Sequence, residues 1–295
     1  MADGLDLVVI GAASRDVAGD DLRGWRLGGA ATYCSLAAAR LGLRVGCLLG
    51  VDQKALDEAD GEIEMLALAD VRLSLVPLGQ GPVFENIERD GHRRQRWLSK
   101  SDQIMVGALP DEWRSAPAWL LAPVAAELGE EWAAAIPAGS AIGLSWQGLL
   151  REFGDDGWVK RAQPQRSALL EAAGLVVASV HDLAGNAEFA RLRTLAANAA
   201  IVLTAGDGGG VALQCGRLLR YRAAPAERVV DATGAGDVFL AALMTAWILT
   251  GDLATPETLR FAAAAGSCAV EGIGLSGVPT RSLVAARLRA PTPEN

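Results

Sequence analysis

Seven consecutive residues, Asp231-Ala232-Thr233-Gly234-Ala235-Gly236-Asp237, carry the clearest chemistry in this chain. Their small side chains leave the backbone bare. They open a strongly apolar run, 238–249, of helical length, which stops before Gly251, a residue suited to a helix C-cap. A bare turn feeding a helix start aims unpaired N–H groups and the positive end of the helix dipole at one point, which suits a phosphate. Asp237 falls in the first turn, where the dipole favours its ionised form and keeps it available to take a proton. One short stretch therefore offers both an anion hole and a base, which implies phosphoryl transfer to a hydroxyl. Taken alone, Asp237 also reads as a carboxylate that only complements the dipole; the adjoining glycines favour the base.

The elements that must position this segment follow from the apolar pattern. Residues 7–10 form a short continuous apolar run before Gly11, the pattern of a buried strand. A helix is expected at 30–41, stopping at Gly42, and a strand at 43–49, ending at Gly50. Further apolar strands are expected at 118–121, 141–144, 175–180 and 200–204, with helices at 165–173 and 184–197. Strands alternating with helices predict an α/β fold with a mainly parallel sheet. The stretch 71–101 departs from this pattern. Residues 71–76 alternate at period two, and 83–89 and 92–98 flank Asp90-Gly91, a strong hairpin signal. A small antiparallel sheet is expected there, acting as a lid or as a plain solvent-facing hairpin. The tail from Ala290 to Asn295, with two prolines, reads as frayed.

Composition limits the function classes. The chain has 295 residues, 51% hydrophobic, enough for a substantial core, read as one large domain. Its net charge is −8 without any block of like charge, which argues against a nucleic-acid or membrane-surface binder. The four cysteines (34, 47, 215 and 268) are scattered, with no CxxC pair, and read as free thiols. With two histidines in the chain, a His/Cys zinc site is not expected. Asp3 and Asp6 stand where a secretory leader would be basic, and no apolar run is long enough to span a membrane, so a cytoplasmic location is expected. There is no GxxxxGK[ST] loop, GxSxG elbow or HExxH helix. Gly206-Asp207-Gly208-Gly209-Gly210 is glycine-rich but lacks the dinucleotide-binding spacing.

Residues 231–237 resemble the C-terminal signature of the PfkB/ribokinase family of carbohydrate kinases. The Gly28-Gly29 pair before the first helix resembles its N-terminal signature. The resemblance covers essentially the whole chain. It implies one ribokinase-like three-layer α/β domain over 1–295, with a mainly parallel central sheet and a β lid from about 12–28 and 71–101. It implies Asp237 as the catalytic base and the N–H groups of Gly234, Ala235 and Gly236 as the anion hole. Asp16, after the first strand, would hold substrate hydroxyls, and Gly28 and Gly29 would let substrate approach the backbone. Thr204-Ala205-Gly206 and on to Gly209 match the nucleotide segment, and 262–274 the wall around adenine. ATP and Mg²⁺ are the implied cofactors. In many members a monovalent cation such as K⁺ is also held by carbonyls, here those of Asp231 and Thr233.

Three departures from the family pattern bear on substrate. Tyr33 stands where ribose-type members often carry Asn. The common Asn-x-x-Glu is replaced by Ser179-Val180-His181-Asp182, leaving Ser179 on the nucleotide side and Asp182 to reach Mg²⁺ through water. The segment before the glycine pair is short, which shortens the first part of the lid. With Phe84-Glu85-Asn86 on the lid, these features resemble the myo-inositol-kinase-like branch. Asn86 would hydrogen-bond polyol hydroxyls. Gln147 and Arg151 follow a central strand, where ligands of open α/β sheets gather, and would meet a hydroxyl and a phosphoryl oxygen; each also reads as a solvated surface residue. The run Arg93-Arg94-Gln95-Arg96 reads as a solvated strand face. The expected acceptor is a small polyol or sugar. Alternatives are a nucleoside kinase, with Tyr33, Phe84 and Trp97 forming a base slot, and a non-catalytic sugar- or nucleotide-binding protein on the same fold. Free lid edges would allow a homodimer through the lid.

Overall fold

The computed structural model describes residues 4–89 and 92–290. Asp3 of the N-terminal reading, the Asp90-Gly91 turn and the tail beyond Ala290 lie outside the described residues. In chain order the elements are β1 (Leu7–Ala12), β2 (Ser14–Val17), β3 (Trp25–Gly28), α1 (Ala30–Arg40), β4 (Val45–Asp52), α2 (Gln53–Glu58) and α3 (Asp60–Leu68). There follow β5 (Arg72–Leu78), β6 (Val83–Arg89), β7 (His92–Ser99), β8 (Ala118–Leu121), α4 (Trp132–Ala135), β9 (Ala141–Ser145), β10 (Arg151–Phe153), β11 (Val159–Arg161) and α5 (Ala168–Ala172). The chain continues with β12 (Leu175–Ser179), α6 (Asn186–Leu195), β13 (Ala200–Thr204), β14 (Gly210–Gln214), β15 (Arg217–Tyr221), α7 (Ala235–Thr250), α8 (Pro256–Ala269) and α9 (Arg281–Arg289).

The central sheet runs β15-β14-β13-β12-β9-β8-β1-β4-β5. From β13 to β5 every pairing is parallel, and β14 and β15 add an antiparallel hairpin at one edge. Strand β1 shows why both faces are covered. Leu7 and Val9 join a core that includes residues of α1, α2, α3, α7, α8 and α9. Val8 and Ile10 join the opposite core, with Trp119, Trp132 and residues of α4, α5 and α6. Period-two alternation with apolar residues at every position forces a helix layer on each side. The result is a three-layer α/β fold.

A separate four-strand sheet, ordered β3-β2-β6-β7, forms the lid. Despite the short segment before the glycine pair, β2 and β3 form a full antiparallel ladder, and β2 pairs parallel with β6. The period-two strand expected in the lid at 71–76 belongs elsewhere. As β5 it pairs parallel with β4 at the edge of the central sheet, with Leu75 exposed. An edge strand of a parallel sheet meets solvent on one side, so its half-polar pattern matches that of a lid strand. The strand expected at 43–49 runs to Asp52, and the helices expected at 165–173 and 184–197 are shorter.

The β10–β11 hairpin was not expected. It lies on the outer edge of β7: the Trp97 N–H donates to Gly157 O at 3.0 Å, and Arg96 bridges to Trp158. At the other end of the lid, β3 lies against the turn Gly274–Gly277. Both outer lid strands thus have a neighbour in the same chain along part of their length.

Candidate active site

Parallel strands deliver the candidate residues to one edge. Asp16 follows β1, Gln147 and Arg151 follow β9, Ser179 ends β12 with Asp182 three residues on, and Thr204 ends β13. This is the C-terminal edge of the sheet, where open α/β folds bind ligands. Helix α7 brings its N-terminus to the same place. Gly234 is its N-cap at φ 77, a left-handed conformation, and Gly251 at φ 78 closes its C-terminus. A Cβ at Gly234 would lie 2.3 Å from the Tyr33 ring, so both the backbone angle and the packing require glycine. A Cβ at Gly236 would meet nothing within 4 Å, so the protein leaves that face open. The N–H groups of Gly234, Gly236 and Asp237 have no protein acceptor among the described residues, as expected for a helix start.

The two sequence signatures meet here. Helix α1 packs on α7, with Tyr33 against Gly234 and the Cys34 thiol donating to Asp237 O at 3.3 Å. Gly29 caps α1 at φ 98, where a Cβ would strike Ala12 O. Gly28 lets the Asp16 carboxylate lie against the backbone, and the Ser14 hydroxyl donates to Asp16 Oδ1 at 2.8 Å. Tyr33 is buried, and desolvation followed by Asp16, Asp231 and Asp237 holds its hydroxyl protonated.

Asp237 does not follow the dipole expectation. It is pushed up to about 7, chiefly by burial; Arg151 draws it down, and Asp16 and Asp182 push it further up. Desolvation of a carboxylate exceeds what a helix N-terminus returns. A carboxyl poised near neutrality is still suited to general-base work. The same couplings show that Asp16, Arg151, Asp182 and Asp237 face one space.

The lid presents its inner face to that space. Asp16 pairs in register with Phe84, and Phe84 with Trp97. One step along the same face, the Gln95 amide donates to Asn86 Oδ1 at 2.9 Å. Phe153 of the β10–β11 hairpin stacks on Phe84 at 6.3 Å and takes Trp97 edge-on at 5.9 Å. The Arg151 guanidinium lies over the Phe84 ring at 5.4 Å, and its Nη1 donates to Val124 O at 3.3 Å. Gln147 is half-buried on the helical turn Trp146–Leu150. Arg94 stacks 3.9 Å over Trp158, away from the site, as a solvated face would. Gln95, Phe153 and Arg26 were missed from sequence. Arg26 stands opposite Asp16 in register and contributes to a charge cluster with Asp20, Asp21 and Asp231.

On the donor side, Ser179 and Thr204 are paired neighbours on β12 and β13. Ser179 caps a helical turn, Val180–Asp182, and Asp182 Oδ2 accepts from the Ser179 N–H at 2.9 Å. Gly206 faces open space, whereas Gly209 is consumed by the fold: a Cβ there would strike Tyr221 O. Asp231 accepts from Thr233 N at 2.9 Å and Gly274 N at 3.0 Å, tying the loop before α7 to the Gly274–Gly277 turn. Among the described residues, no three His, Cys, Asp or Glu side chains are grouped to ligate a metal directly. No helix among them is long and apolar enough to cross a membrane. Two surface hollows, lined in part by Met65 and Leu68 and by Arg44 and Arg72, lie away from these residues.

Comparison with solved structures gives fold matches along nearly the whole chain. A pyrophosphate-dependent kinase in the ribokinase family, complexed with a pyrophosphate analog and myo-inositol, superposes with TM-score 0.75 at 16% identity, over 95% of this chain and 99% of that one. Fructokinase from Xylella fastidiosa, with bound ATP, gives 0.75 at 21% over 96% and 98%. The Methanocaldococcus jannaschii nucleoside kinase, an archaeal member of the ribokinase family, gives 0.70 at 18% over 97% and 99%. No curated protein matches the sequence. The family model described as pfkB family carbohydrate kinase matches residues 119–281, more than half of the chain. That match takes in α7 and the ends of β8, β9, β12 and β13, and this chain belongs to the pfkB family of carbohydrate kinases.

Proposed function

We propose that the chain phosphorylates a hydroxyl of a small polyol, a cyclitol such as myo-inositol or a sugar, with Mg²⁺-ATP as donor and Asp237 as base. As a pfkB carbohydrate kinase it is a phosphotransferase with an alcohol acceptor. The observation that carries the finer reading is the placement of Asp237. It lies in the first turn of α7, beside open N–H groups, poised near neutrality and facing Asp16 and Arg151. Asp237 takes the proton of the acceptor hydroxyl as that oxygen attacks the γ-phosphorus and the bond to ADP breaks. The N–H groups of Gly234 and Gly236 receive the charge on the transferred group, that of Ala235, expected beside them, being turned to Ala232 O at 3.4 Å, and Arg151 offsets the charge from the other side. Asp16, fixed by Ser14 and Gly28, holds a neighbouring hydroxyl. Asn86 and Gln95 supply further donors and acceptors from the lid, which excludes water as a rival acceptor.

The acceptor reading rests on what the aromatic residues already do. Tyr33 and Phe84 are buried and Trp97, half-buried, packs edge-on against Phe153, so two of the three rings of a nucleobase slot are already taken up by the fold. The donor reading rests on Val229, Val230 and Ile273, exposed aliphatic side chains on the segments flanking the anion hole. They give an adenine apolar surface, for which pyrophosphate has no use. Asp182 fits Mg²⁺ through water: one carboxylate oxygen caps Ser179, and its charge already loads Asp237 unfavourably, which a cation relieves. When bound, Mg²⁺ neutralises the donor phosphates. Asp231 fits a monovalent-cation role for its carbonyl and that of Thr233, because its carboxylate fixes the loop that carries both.

The test is product release from a panel of cyclitols, sugars and nucleosides, each with ATP and with pyrophosphate, and Asp237→Asn as control. ATP-dependent turnover of a cyclitol or sugar, lost in the variant, is expected. Turnover of nucleosides alone, or with pyrophosphate alone, refutes the acceptor or the donor assignment. Saturable binding without turnover refutes the kinase reading.

A further inference from the structure

Glu127 is a carboxylate with 0% solvent exposure that the transfer steps above do not use. It ends an otherwise apolar run, Leu121-Ala122-Pro123-Val124-Ala125-Ala126, that leaves β8. Its Oε1 accepts from the N–H of Ala12 at 2.9 Å and of Val124 at 3.0 Å. Its Oε2 accepts from Val124 at 3.0 Å and Ala125 at 2.7 Å. Every one of these partners is a donor, which matches an ionised, acceptor-only carboxylate. Burial pushes its pKa up and the backbone N–H groups draw it back. Ala126, at φ 57, is left-handed and curls the preceding N–H groups into an anion-binding nest. A strained residue beside a buried charge marks a conformation that the surroundings impose.

The three donors belong to two segments that flank the site. Ala12 ends β1, two residues before Ser14, which holds Asp16. Val124 offers its carbonyl to Arg151, and Pro123 O lies where a Cβ of Gly148 would be, under the turn that carries Gln147. Ala12 is also fixed by its register with Gly50, and Asp16 by the lid ladders. The 122–127 loop is tied at its ends, by the Ala122 N–H on Ile10 O at 2.9 Å, the Ile104 N–H on Glu127 O at 2.9 Å and the Gln103 amide on Ala126 O at 2.7 Å; the Val124–Ala125 bend between those ties is held by the carboxylate. We propose that Glu127 is a positioning residue for phosphoryl transfer, which sets Arg151 beside Asp237 by pinning the 122–127 loop to the end of β1. The proposal rests on the transfer reading above.

The readout is the protonation of Asp237. It is faced by Arg151 from the start of β10, Asp16 from β2, Asp182 from the turn after β12, and the Tyr33 hydroxyl and Cys34 thiol from α1. Of these, Arg151 draws it down. A loosened Arg151 therefore moves the acid limb of kcat/KM to higher pH. Glu127→Gln keeps the shape but turns an amide N–H toward backbone donors. It is expected to lower kcat between about tenfold and a hundredfold and to move the limb in the same direction as Arg151→Met. The double variant should add little to either single one, because both act through one group. Glu127→Asp, one methylene short of bridging both segments, carries the same expectation if the Gln variant does not fold. Amide exchange on the native chain needs no variant: the N–H groups of Val124 and Ala125 should be protected. Additive effects, a limb that stays in place while only the melting temperature falls, or exchange of those amides at open-loop rates overturn the proposal. A native chain inactive with every donor and acceptor sinks the transfer reading and this proposal with it. Additive variants of an active chain sink this proposal alone.

Discussion

Asp237→Asn should stabilise the protein while abolishing its activity, and the stabilisation should depend on pH. The Asp237 carboxyl moves from an ordinary 3.8 to about 7 on folding. Below pH ~4 both folded and unfolded chains hold this proton, and the group contributes no difference. Between ~4 and ~7 only the folded chain holds it, so stability falls as pH rises through that interval, by about 1.4 kcal/mol per pH unit. Above 7 the full penalty is present, about 4 kcal/mol as a ceiling; screening by water in the cleft brings the expected value to about 2 kcal/mol. An amide has no such titration, so the variant escapes the penalty. Paired thermal melts at pH 5 and pH 8 check this. The variant should gain less than about 1 kcal/mol at pH 5 and about 2 kcal/mol at pH 8, the latter worth roughly 3 °C for a chain of this length. Turnover should fall by about 10²–10⁴ because an amide accepts no proton. A gain that is the same at both pH values, or a variant less stable than the native chain at pH 8, refutes the desolvation reasoning.

Three further outcomes follow from the geometry. Gly234→Ala should destabilise the chain by about 2 kcal/mol or more, from the left-handed backbone and the contact with Tyr33, and should remove turnover; chemical denaturation and a rate assay measure both. Asp182→Ala should raise the Mg²⁺ concentration needed for half-maximal turnover by about tenfold, the scale of losing one outer-shell group; an unchanged Mg²⁺ titration removes Asp182 from the site. Phe153→Ala takes the ring from between Phe84 and Trp97. It should cost about 1–3 kcal/mol, raise the acceptor KM and increase donor hydrolysis without acceptor; a KM that does not move shows that the hairpin plays no part in lid closure.

The edge where the candidate residues gather was legible because it lies where buried strands end. The apolar runs at 118–121 and 200–204 are strands with those bounds, and candidate residues stand at or just past the ends of such strands. Helix α7 was legible from its bare turn and its glycine stop. What escaped depends on partners that leave no mark on side-chain identity. Glu127 binds backbone N–H groups, and any residue supplies those. β10 and β11 have three residues each, too few to show a period. The helix dipole at Asp237 can be read from neighbouring residues, but its desolvation comes from elements far away in sequence, so the direction of its pKa shift could not be. β5 looked like a lid strand because one-sided exposure gives the same alternation in either sheet.

The contact between the Cys34 thiol and Asp237 O spans 203 positions of chain. Asp16 and the Gly28-Gly29 pair lie within the first 30 residues and Asp237 in the last quarter of the sequence. With Asp237 as the proposed base, a growing chain emerges with Asp16 and its strands long before that base, and no partial product of synthesis transfers phosphate. Closing so distant a contact is entropically slow, so the catalytic centre should be among the last features to mature. Activity then reports completion of the fold, and an assay of regained turnover after dilution from denaturant times that final docking of α1 on α7.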